Sequence, residues 1–313
     1  MPMLEDIRSF ARICQTELGK SISMESSYKL AKNIVLAGMG GSAIPGDVIR
    51  DSFALKVPLE VSRGYDVPSY VDADTLLICV SYSGNTRETL SQLGQGIGSN
   101  CKICGVTSDG ELEDKLEKLG LPIVKVPQQM LPRAALPYLL SAVTNILSSL
   151  GFIAEEITVQ MEPYQGEVES RGKELAGQLK STFPIVCSAY SSVGKRFKAQ
   201  LDENAKMLCK YEVLPELNHN EIESWVNLTP NFPLVFFRDR EERQEIEASI
   251  RAIKEIVGSR TNCLEVFAEG KTRWERILYL IWVGDFASYF LAEENRVDPE
   301  ATDLIKRLKR ATG

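Results

Sequence analysis

The stretch NIVLAGMGGSAIPGDVIRDSFA, residues 33–54, indicates the fold of the first half of the chain. It opens with the apolar run that is typical of a buried strand. The glycines at 38, 40 and 41 then allow a tight turn, and the residues that follow have the pattern of a helix. A strand that leads through glycines into a helix is the start of a βαβ unit, so this stretch predicts a parallel sheet.

The same alternation continues in both directions along the chain. Apolar, strand-like runs alternate with amphipathic, helix-like segments, as a parallel sheet covered on both faces requires. We therefore predict an α/β protein of two three-layer domains, residues 1–153 and 154–313, each a parallel sheet flanked by helices, with a helical C-terminal tail. The further strand-like runs are TLLICVSYSG (75–84), CKICGVTSD (101–109), LPIVKVP (121–127), FPIVCSAY (183–190), NFPLVFFRD (231–239) and NCLEVFAEG (262–270).

Composition excludes several classes of protein. The chain has 313 residues, 44% of them hydrophobic, which is enough for a substantial core. Its net charge of -7 argues against a duplex nucleic acid partner, because such a partner selects a basic face. The acidic start does not fit a signal peptide. The most apolar stretch, Ile277 to Leu291, is interrupted by Asp285 and is shorter than the ~20 residues of a membrane span, so we predict a buried helix.

The numbers of cysteines and histidines bear on the compartment of the protein and on the kind of metal site it could hold. Seven scattered cysteines, an odd number, suit a reducing compartment, and we expect a cytoplasmic protein. Cys101 and Cys104 form a C-x-x-C within a strand-like run, and we interpret them as inert core thiols. The chain has one histidine, His219, so a histidine-rich metal site is not available.

The glycine turn, residues 38–43, has two functional interpretations. Its backbone N–H groups and the following helix dipole favour an anion. The turn also has the pattern G-x-G-x-x-A, carried by Gly38, Gly40 and Ala43. Since Glu60 falls in the next strand-like run, a dinucleotide-binding oxidoreductase is a serious alternative.

A second candidate anion site favours a phosphate group instead. Ser81, Ser83 and Thr86 place three hydroxyls around a glycine at the end of a strand and the start of a helix. Hydroxyls and exposed N–H groups together form a compact cradle for a terminal phosphate. We call residues 81–86 the phosphate loop.

These residues resemble the sugar isomerase (SIS) superfamily, in which S-x-S-G-x-T holds the phosphate of a phosphosugar. The chain is more specifically similar to the bifunctional phosphoglucose/phosphomannose isomerases of archaea and some bacteria. The resemblance covers nearly the whole chain, although no motif is recognised between Ala154 and Gln178. It is carried by GMGGSA (38–43), SYSGNT (81–86), PRAAL (132–136), DENAK (202–206), LPELNHNEIESW (214–225) and DPEATDLIKRLK (298–309).

The resemblance implies a catalytic base and a cation for the developing oxyanion. Glu203 would be the base that moves a proton between C1 and C2 through an enediolate. By periodicity alone Glu203 is a solvated helix residue, because an apolar stripe from Phe197 to Leu208 leaves it off the buried face. Arg133 would stabilise the enediolate, since a guanidinium stays protonated and can donate two parallel hydrogen bonds.

The resemblance also implies groups that open and accommodate the sugar ring. His219, in a polar turn, would assist ring opening from the neighbouring subunit of an obligate homodimer. Lys309, with Lys306 as the alternative, would act at the ring oxygen, and Thr302 would leave room for either C2 epimer. The remaining predicted sugar contacts are Gly41 and Ser42.

The predicted activity is interconversion of glucose 6-phosphate, and of mannose 6-phosphate, with fructose 6-phosphate, without a metal or organic cofactor. The site would lie at the carboxyl ends of the strands, between the domains. Two alternatives stay open: a non-catalytic sugar-phosphate sensor with the same phosphate loop, and the NAD-dependent oxidoreductase.

Overall fold

A computed structural model describes residues 2–312 and shows the predicted α/β fold, with parallel sheets flanked by helices. The chain forms two compact units. The N-terminal unit is residues 8–162; the C-terminal unit runs from Pro163 to the end of the described chain and includes residues 2–7. The predicted boundary at residues 153 and 154 lies within an irregular segment without helix or strand, residues 150–161, which precedes the division between the two units.

Strands and helices alternate along most of the chain. The α-helices are α1 (Pro2–Arg8), α2 (Phe10–Glu17), α3 (Ile44–Ser52), α4 (Arg87–Gly98), α5 (Glu111–Lys118), α6 (Leu136–Ser149), α7 (Gln165–Leu179), α8 (Ser191–Gln200), α9 (Gln244–Val257), α10 (Arg273–Glu294) and α11 (Asp303–Ala311). The strands are β1 (Asn33–Ala37), β2 (Leu59–Ser62), β3 (Thr75–Ser81), β4 (Lys102–Thr107), β5 (Ile123–Lys125), β6 (Ile185–Ser188), β7 (Lys210–Val213), β8 (Leu234–Arg238) and β9 (Cys263–Phe267). The described residues between β2 and β3, and those between β7 and β8, include no α-helix.

The sheet of the N-terminal unit has five parallel strands in the order β2-β1-β3-β4-β5. The central strand β3 is buried along its whole length, as its apolar sequence predicts. The strand order reverses between β1 and β3, and in open parallel sheets the crevice outside such a switch point is where ligands bind. The glycine turn follows β1 and the phosphate loop follows β3, so both predicted anion sites lie at this crevice.

The sheet of the C-terminal unit has four parallel strands in the order β7-β6-β8-β9, with its own switch point between β6 and β8. Helix α10 contains the stretch from Ile277 to Leu291, which is almost entirely buried, and this confirms the predicted buried helix. The indole Nε1 of Trp282 in α10 donates a hydrogen bond to the Ile7 carbonyl at 2.7 Å, which fastens α1 to this unit. None of the helices within residues 2–312 is both long and apolar enough to cross a bilayer.

One part of the predicted pattern is wrong. The helical pattern was extended through Leu208, but α8 ends at Gln200 and a single turn of π-helix, Leu201–Ala205, replaces its last turn. Lys206 then has φ 53°, which ends the helix, and the side chain of Leu208 is 75% exposed instead of completing an apolar stripe. Strand β7, which follows, was not predicted because its residues are only partly buried.

The cysteines in the described part of the chain are all free. Burial raises the pKa of Cys104 to about 12 and that of Cys101 to about 11. A thiol with so high a pKa carries little thiolate at neutral pH, which supports the interpretation of this C-x-x-C as inert core packing.

Candidate active site

The phosphate loop is a tight turn whose hydroxyls face one another. The Oγ of Ser81 and the Oγ1 of Thr86 lie 2.9 Å apart and share a hydrogen bond. Gly84 between them has φ 67°, and a Cβ built on it would lie 1.7 Å from the carbonyl oxygen of Asp109. Only glycine fits there, so the turn is shaped by the segment after β4 as well as by its own residues.

Ser83 is exposed, unlike the other two hydroxyl residues of the phosphate loop. Its carbonyl oxygen accepts a hydrogen bond from Asn85 Nδ2 at 2.9 Å, and Asn85 Oδ1 accepts one from the Glu111 amide at 3.1 Å. The loop is therefore braced against the start of α5. The side chain of Thr86, the N-cap residue of α4, makes no capping hydrogen bond. Its hydroxyl is directed to Ser81, so two hydroxyls are grouped at the N-terminus of α4, where the helix dipole favours an anion.

The glycine turn packs against the segment that carries Arg133. We call residues 126–135, between β5 and α6, the Arg133 loop. A Cβ built on Gly41 would lie 3.3 Å from the Pro132 carbonyl oxygen and 3.5 Å from the Arg133 Cα. The absence of a side chain at Gly41 thus lets the two backbones approach closely. The Oγ of Ser42 accepts a hydrogen bond from the Tyr82 amide at 3.2 Å, which joins the glycine turn to the phosphate loop.

Arg133 is almost fully buried, with 5% of its surface exposed. The amides of Ala134 and Ala135 both donate to the Leu131 carbonyl, at 2.8 and 3.1 Å, and this turn leads into α6. A buried guanidinium near a phosphate site is suited to an oxyanion, because it keeps its charge and its donors are held in a plane. The N-terminal unit therefore brings Gly41, Ser42, Ser81, Ser83, Thr86 and Arg133 to one crevice.

Glu60, the acidic residue that a dinucleotide site would need, is not placed to bind a ribose. Glu60 lies at the second position of β2 and not at its carboxyl end, where a ribose would bind. The Oε2 of Glu60 accepts a hydrogen bond from the hydroxyl of Tyr70 at 2.6 Å. The strand order also differs from the 3-2-1-4-5-6 order of dinucleotide-binding sheets. We therefore interpret the glycines of this turn as allowing the backbone of the Arg133 loop to pack closely against it.

Glu203 lies on the π-turn of the C-terminal unit, and it is partly buried. This turn is held at the two residues that follow Glu203. The Nδ2 of buried Asn204 donates to Ser288 Oγ at 2.9 Å, and Asn295 Nδ2 donates to the Ala205 carbonyl at 3.2 Å. Single π-turns are rare and occur frequently at functional sites, which is consistent with a catalytic side chain here.

A buried ion pair between α8 and α10 holds residues that contact the π-turn. Arg196 of α8 makes a bidentate contact with Asp285 of α10, at 3.0 Å from Nε and 2.9 Å from Nη2. Gln200 donates to the same carboxylate at 3.0 Å, and Ser288 donates to the Asp285 carbonyl at 2.8 Å. Because Gln200 directly precedes the π-turn and Ser288 contacts it, the network connects α10 to the backbone on which Glu203 sits.

At the switch point of the second sheet, three side chains of this unit are hydrogen-bonded to one another. Tyr190, after β6, donates to Asp239 Oδ2 at 2.6 Å, and Arg276 Nε donates to the same oxygen at 2.8 Å. Burial alone would raise the pKa of Asp239, but the hydrogen bonds from Tyr190 and Arg276 outweigh it and lower that pKa. A carboxylate at this position repels phosphate, so the second sheet does not repeat the anion site of the first.

The other predicted residues lie on two further elements of the C-terminal unit. His219 is exposed at the end of a short 3-10 helix, Glu216–His219, that follows β7. Thr302 is the N-cap of α11, and Lys309 lies in its last turn. All described residues of α11 are exposed, including the apolar Leu304 and Leu308.

Sequence reasoning missed three structural contributions to the site. The π-turn has no signature in a 3.6-residue periodicity. Asp285 did carry a signal, because a charge inside an apolar helix requires a buried partner, but the partner Arg196 could not be identified. Tyr82 was taken only as the variable position between two serines, although its hydroxyl and amide both bind other loops of the site.

Comparison with known proteins shows the family to which the chain is similar. Residues 168–311 match the family model of the bacterial phospho-glucose isomerase C-terminal SIS domain. The chain is 34% identical to the bifunctional phosphoglucose/phosphomannose isomerase of Aquifex aeolicus, over 89% of each chain. It is 33% identical to the protein of the same name from Caldicellulosiruptor bescii, over 94% of this chain and 93% of that one.

Two more distant similarities are informative. The D-glucosamine-6-phosphate 4-epimerase of Sulfolobus acidocaldarius is 29% identical over 91% of this chain and 90% of its own. The C-terminal domain of glucosamine-fructose-6-phosphate aminotransferase from Francisella tularensis has the same fold, with a TM-score of 0.72 at 14% identity, covering 96% of this chain and 98% of that one.

The parallel sheets, the phosphate loop at a switch point and the matched domain model define an SIS-type isomerase. Within that class, the chain belongs to the family of bifunctional phosphoglucose/phosphomannose isomerases.

Proposed function

We propose that this isomerase interconverts glucose 6-phosphate and mannose 6-phosphate with fructose 6-phosphate. The observation that carries the proposal is the hydroxyl cradle of Ser81 and Thr86, joined through Ser42 to a loop that buries Arg133. This arrangement provides an anchor for a phosphate dianion and a cation for a second, transient negative charge. The names of the relatives support the same substrates.

In the proposed mechanism, Glu203 moves one proton. Its carboxylate removes the C2 proton of the open-chain aldose; the C2–H electron pair forms the C1–C2 double bond while the C1=O π pair moves to O1, which gives the enediolate. The hydroxyl proton of O2 then passes to O1, the electron pair left on O2 forms the C2=O bond, and the C1–C2 π pair takes the proton back from the same carboxyl at C1. Arg133 stabilises the enediolate oxygen as charge develops, and the phosphate loop fixes the substrate from its far end. All the groups required are protein side chains, so the reaction is proposed to need no metal.

Ring opening and epimer tolerance are assigned to the C-terminal unit. We assign ring opening to Lys309 and to His219 of the partner subunit, and the accommodation of either C2 epimer to Thr302. The exposure of His219 is compatible with a role across a homodimer interface. Analytical ultracentrifugation at assay concentration should show a dimer; a fully active monomer would remove His219 from this mechanism. The cytoplasm remains the proposed compartment.

Two other functions use the same phosphate loop. The similarity to a 4-epimerase favours epimerisation of an amino sugar phosphate as a second candidate. A non-catalytic sugar-phosphate sensor would bind the same ligands without turnover.

The deciding experiment measures fructose 6-phosphate formed from each aldose phosphate in excess chelator. Turnover of both substrates is expected, with rates that the chelator does not change. Turnover of glucose 6-phosphate alone would remove the role given to Thr302. If neither is converted, a parallel assay with glucosamine 6-phosphate distinguishes the epimerase from the sensor.

A further inference from the structure

We propose that Tyr82 is a positioning residue that holds the Arg133 loop in register with the phosphate loop. Tyr82 lies between Ser81 and Ser83, and no catalytic or binding role has been given to it above. The inference rests on the proposed function, because it assumes that Arg133 acts on the intermediate. It adds a determinant of catalytic rate that is separate from phosphate binding.

The hydroxyl of Tyr82 is both a hydrogen-bond donor and a hydrogen-bond acceptor. It donates to the Pro127 carbonyl at 2.9 Å and accepts a hydrogen bond from the Met130 amide at 3.0 Å. Both partners belong to the Arg133 loop, and Met130 is three residues before Arg133. Tyr82 as a whole is 6% exposed, so water has little access to replace these hydrogen bonds.

The backbone of Tyr82 makes the complementary connections. Its amide donates to Ser42 Oγ at 3.2 Å, and its carbonyl accepts from the Ser108 hydroxyl at 2.6 Å and from the Ser108 amide at 3.1 Å. One residue thus contacts the glycine turn, the segment after β4 and the Arg133 loop. Because its main chain is part of the phosphate loop, the hydroxyl transmits the position of that loop to the Arg133 loop.

The chemistry explains why the spacing between these loops matters. The phosphate is held at one end of the substrate, and the enediolate forms at the other. A shift of the Arg133 loop relative to the phosphate loop would leave phosphate binding intact and misalign the guanidinium. Displacements of about 1 Å can lower catalytic rates about 100-fold.

The test is Tyr82→Phe, which removes the hydroxyl and keeps the ring and the backbone hydrogen bonds. We expect kcat to fall by about tenfold to 100-fold, whereas KM and the inhibition constant of inorganic phosphate stay within about twofold of wild type. A kcat within twofold of wild type would overturn the inference. So would a weaker affinity for phosphate with unchanged kcat, because Tyr82 would then act on the phosphate loop alone.

Tyr28→Phe is the matched control. Tyr28 belongs to the same unit, is 7% exposed and donates its hydroxyl to a backbone carbonyl, that of Ile103, at 2.8 Å. It is not part of the three loops. If general loosening of the unit were enough to lower kcat, both variants would be slow; we expect only Tyr82→Phe to be slow.

A double-mutant cycle with Arg133→Gln separates this inference from the proposed function. If Tyr82 acts through Arg133, the double variant is no slower than Arg133→Gln alone, whereas additive losses would contradict the inference. If Arg133→Gln by itself keeps the wild-type rate, the proposed mechanism fails, and the role of Tyr82 fails with it. Should Tyr82→Phe not fold, hydrogen exchange of the wild-type protein still tests the contact: a Met130 amide that exchanges as fast as in an unstructured peptide would overturn it.

Discussion

The hydroxyls of Ser81 and Thr86 are hydrogen-bonded to each other across the phosphate loop, 2.9 Å apart. In most helix N-termini a residue at the position of Thr86 would cap the first turn of the helix, here α4. That turn therefore keeps N–H groups that Thr86 does not cap, beside two hydroxyls that can rotate towards a ligand. We propose that the pair is a preformed anion site, whose geometry depends on the turn between the two residues.

The first prediction concerns that turn. Gly84→Ala places a methyl group against the Asp109 carbonyl at a left-handed φ of 67°, so the loop must move. We expect KM for the sugar phosphates to rise by about tenfold to 100-fold, the loss of one or two hydrogen bonds to a charged group. Isothermal titration with inorganic phosphate checks the same loss of affinity directly.

Gly94→Ala is the control for this change. Gly94 lies within α4, the helix that the loop opens, and a Cβ there meets open space. Alanine should raise the free energy of unfolding by about 0.5–1 kcal/mol, because it lowers the entropy of the unfolded chain and favours helix. An unchanged KM in Gly84→Ala would show that the loop does not hold the phosphate.

The second prediction concerns the proposed base. Glu203→Gln should lower kcat by about 100-fold to 10,000-fold, the usual contribution of a positioned acid or base. Its neighbour Asp202 lies on the same π-turn and pairs with Lys198, so Asp202→Asn is the matched control and should remain active. Exchange of the substrate C2 proton in deuterated water is the measurement, since it reports proton abstraction even when no net product forms. Wild-type exchange in Glu203→Gln would transfer the role of base to another residue.

The fold could be predicted from sequence mainly where one strong signal decides it. Glycines after a buried run identified β1, the glycine turn and α3, and continuous apolar runs identified β3, β4 and β8. The short strand β7 lacked such a signal, because its residues include Lys210 and Glu212 and are only partly buried.

The residues of the candidate site could be proposed one by one from the sequence, but their contacts with one another could not. The phosphate loop could be proposed because hydroxyls and a glycine at a strand end form a local pattern. The connection of Tyr82 to Pro127, 45 residues apart, is a tertiary contact that no local pattern contains. The same holds for Arg196 and Asp285, 89 residues apart, which together support the turn that carries Glu203.

The third prediction concerns this buried ion pair. Asp285→Ala leaves the guanidinium of Arg196, whose side chain is 3% exposed, without its bidentate partner. Breaking such a pair from one side costs about 3–5 kcal/mol of the free energy of unfolding. The double variant Arg196→Met with Asp285→Leu should lose less, because no buried charge remains. A double variant that is less stable than Asp285→Ala would contradict this account.

Tryptophan fluorescence in urea is a suitable measurement for this comparison. The chain has 3 tryptophans, and Trp225, Trp274 and Trp282 all belong to the C-terminal unit. The fluorescence transition therefore reports the unit that contains Arg196 and Asp285. Unchanged transition midpoints in the single variant would show that the pair does not stabilise this unit.

The last prediction concerns the dependence of stability on pH. The pKa of Asp239 is lowered in the folded protein, where hydrogen bonds from Tyr190 and Arg276 outweigh the effect of burial. A group with a lowered folded pKa stabilises the fold above its unfolded pKa, here about 3.9, and this stabilisation is lost as the pH falls through the folded value. Asp239→Asn should therefore be less stable than wild type at pH 7 by about 3 kcal/mol, since Arg276 loses a buried partner.

The difference between Asp239→Asn and wild type should shrink as the pH falls below about 4, because the Asp239 carboxyl of the unfolded wild-type chain becomes protonated there, and it should stop shrinking once the pH has passed the lower pKa of the folded chain. Urea unfolding followed by tryptophan fluorescence between pH 7 and pH 3 measures it. Glu245→Gln is the control, because Glu245 pairs with Arg243 at the surface, where solvent screens an ion pair, so its loss should change the midpoint much less than Asp239→Asn does. A difference that stays constant over the whole pH range would show that the ionised form of Asp239 is not what stabilises the second switch point.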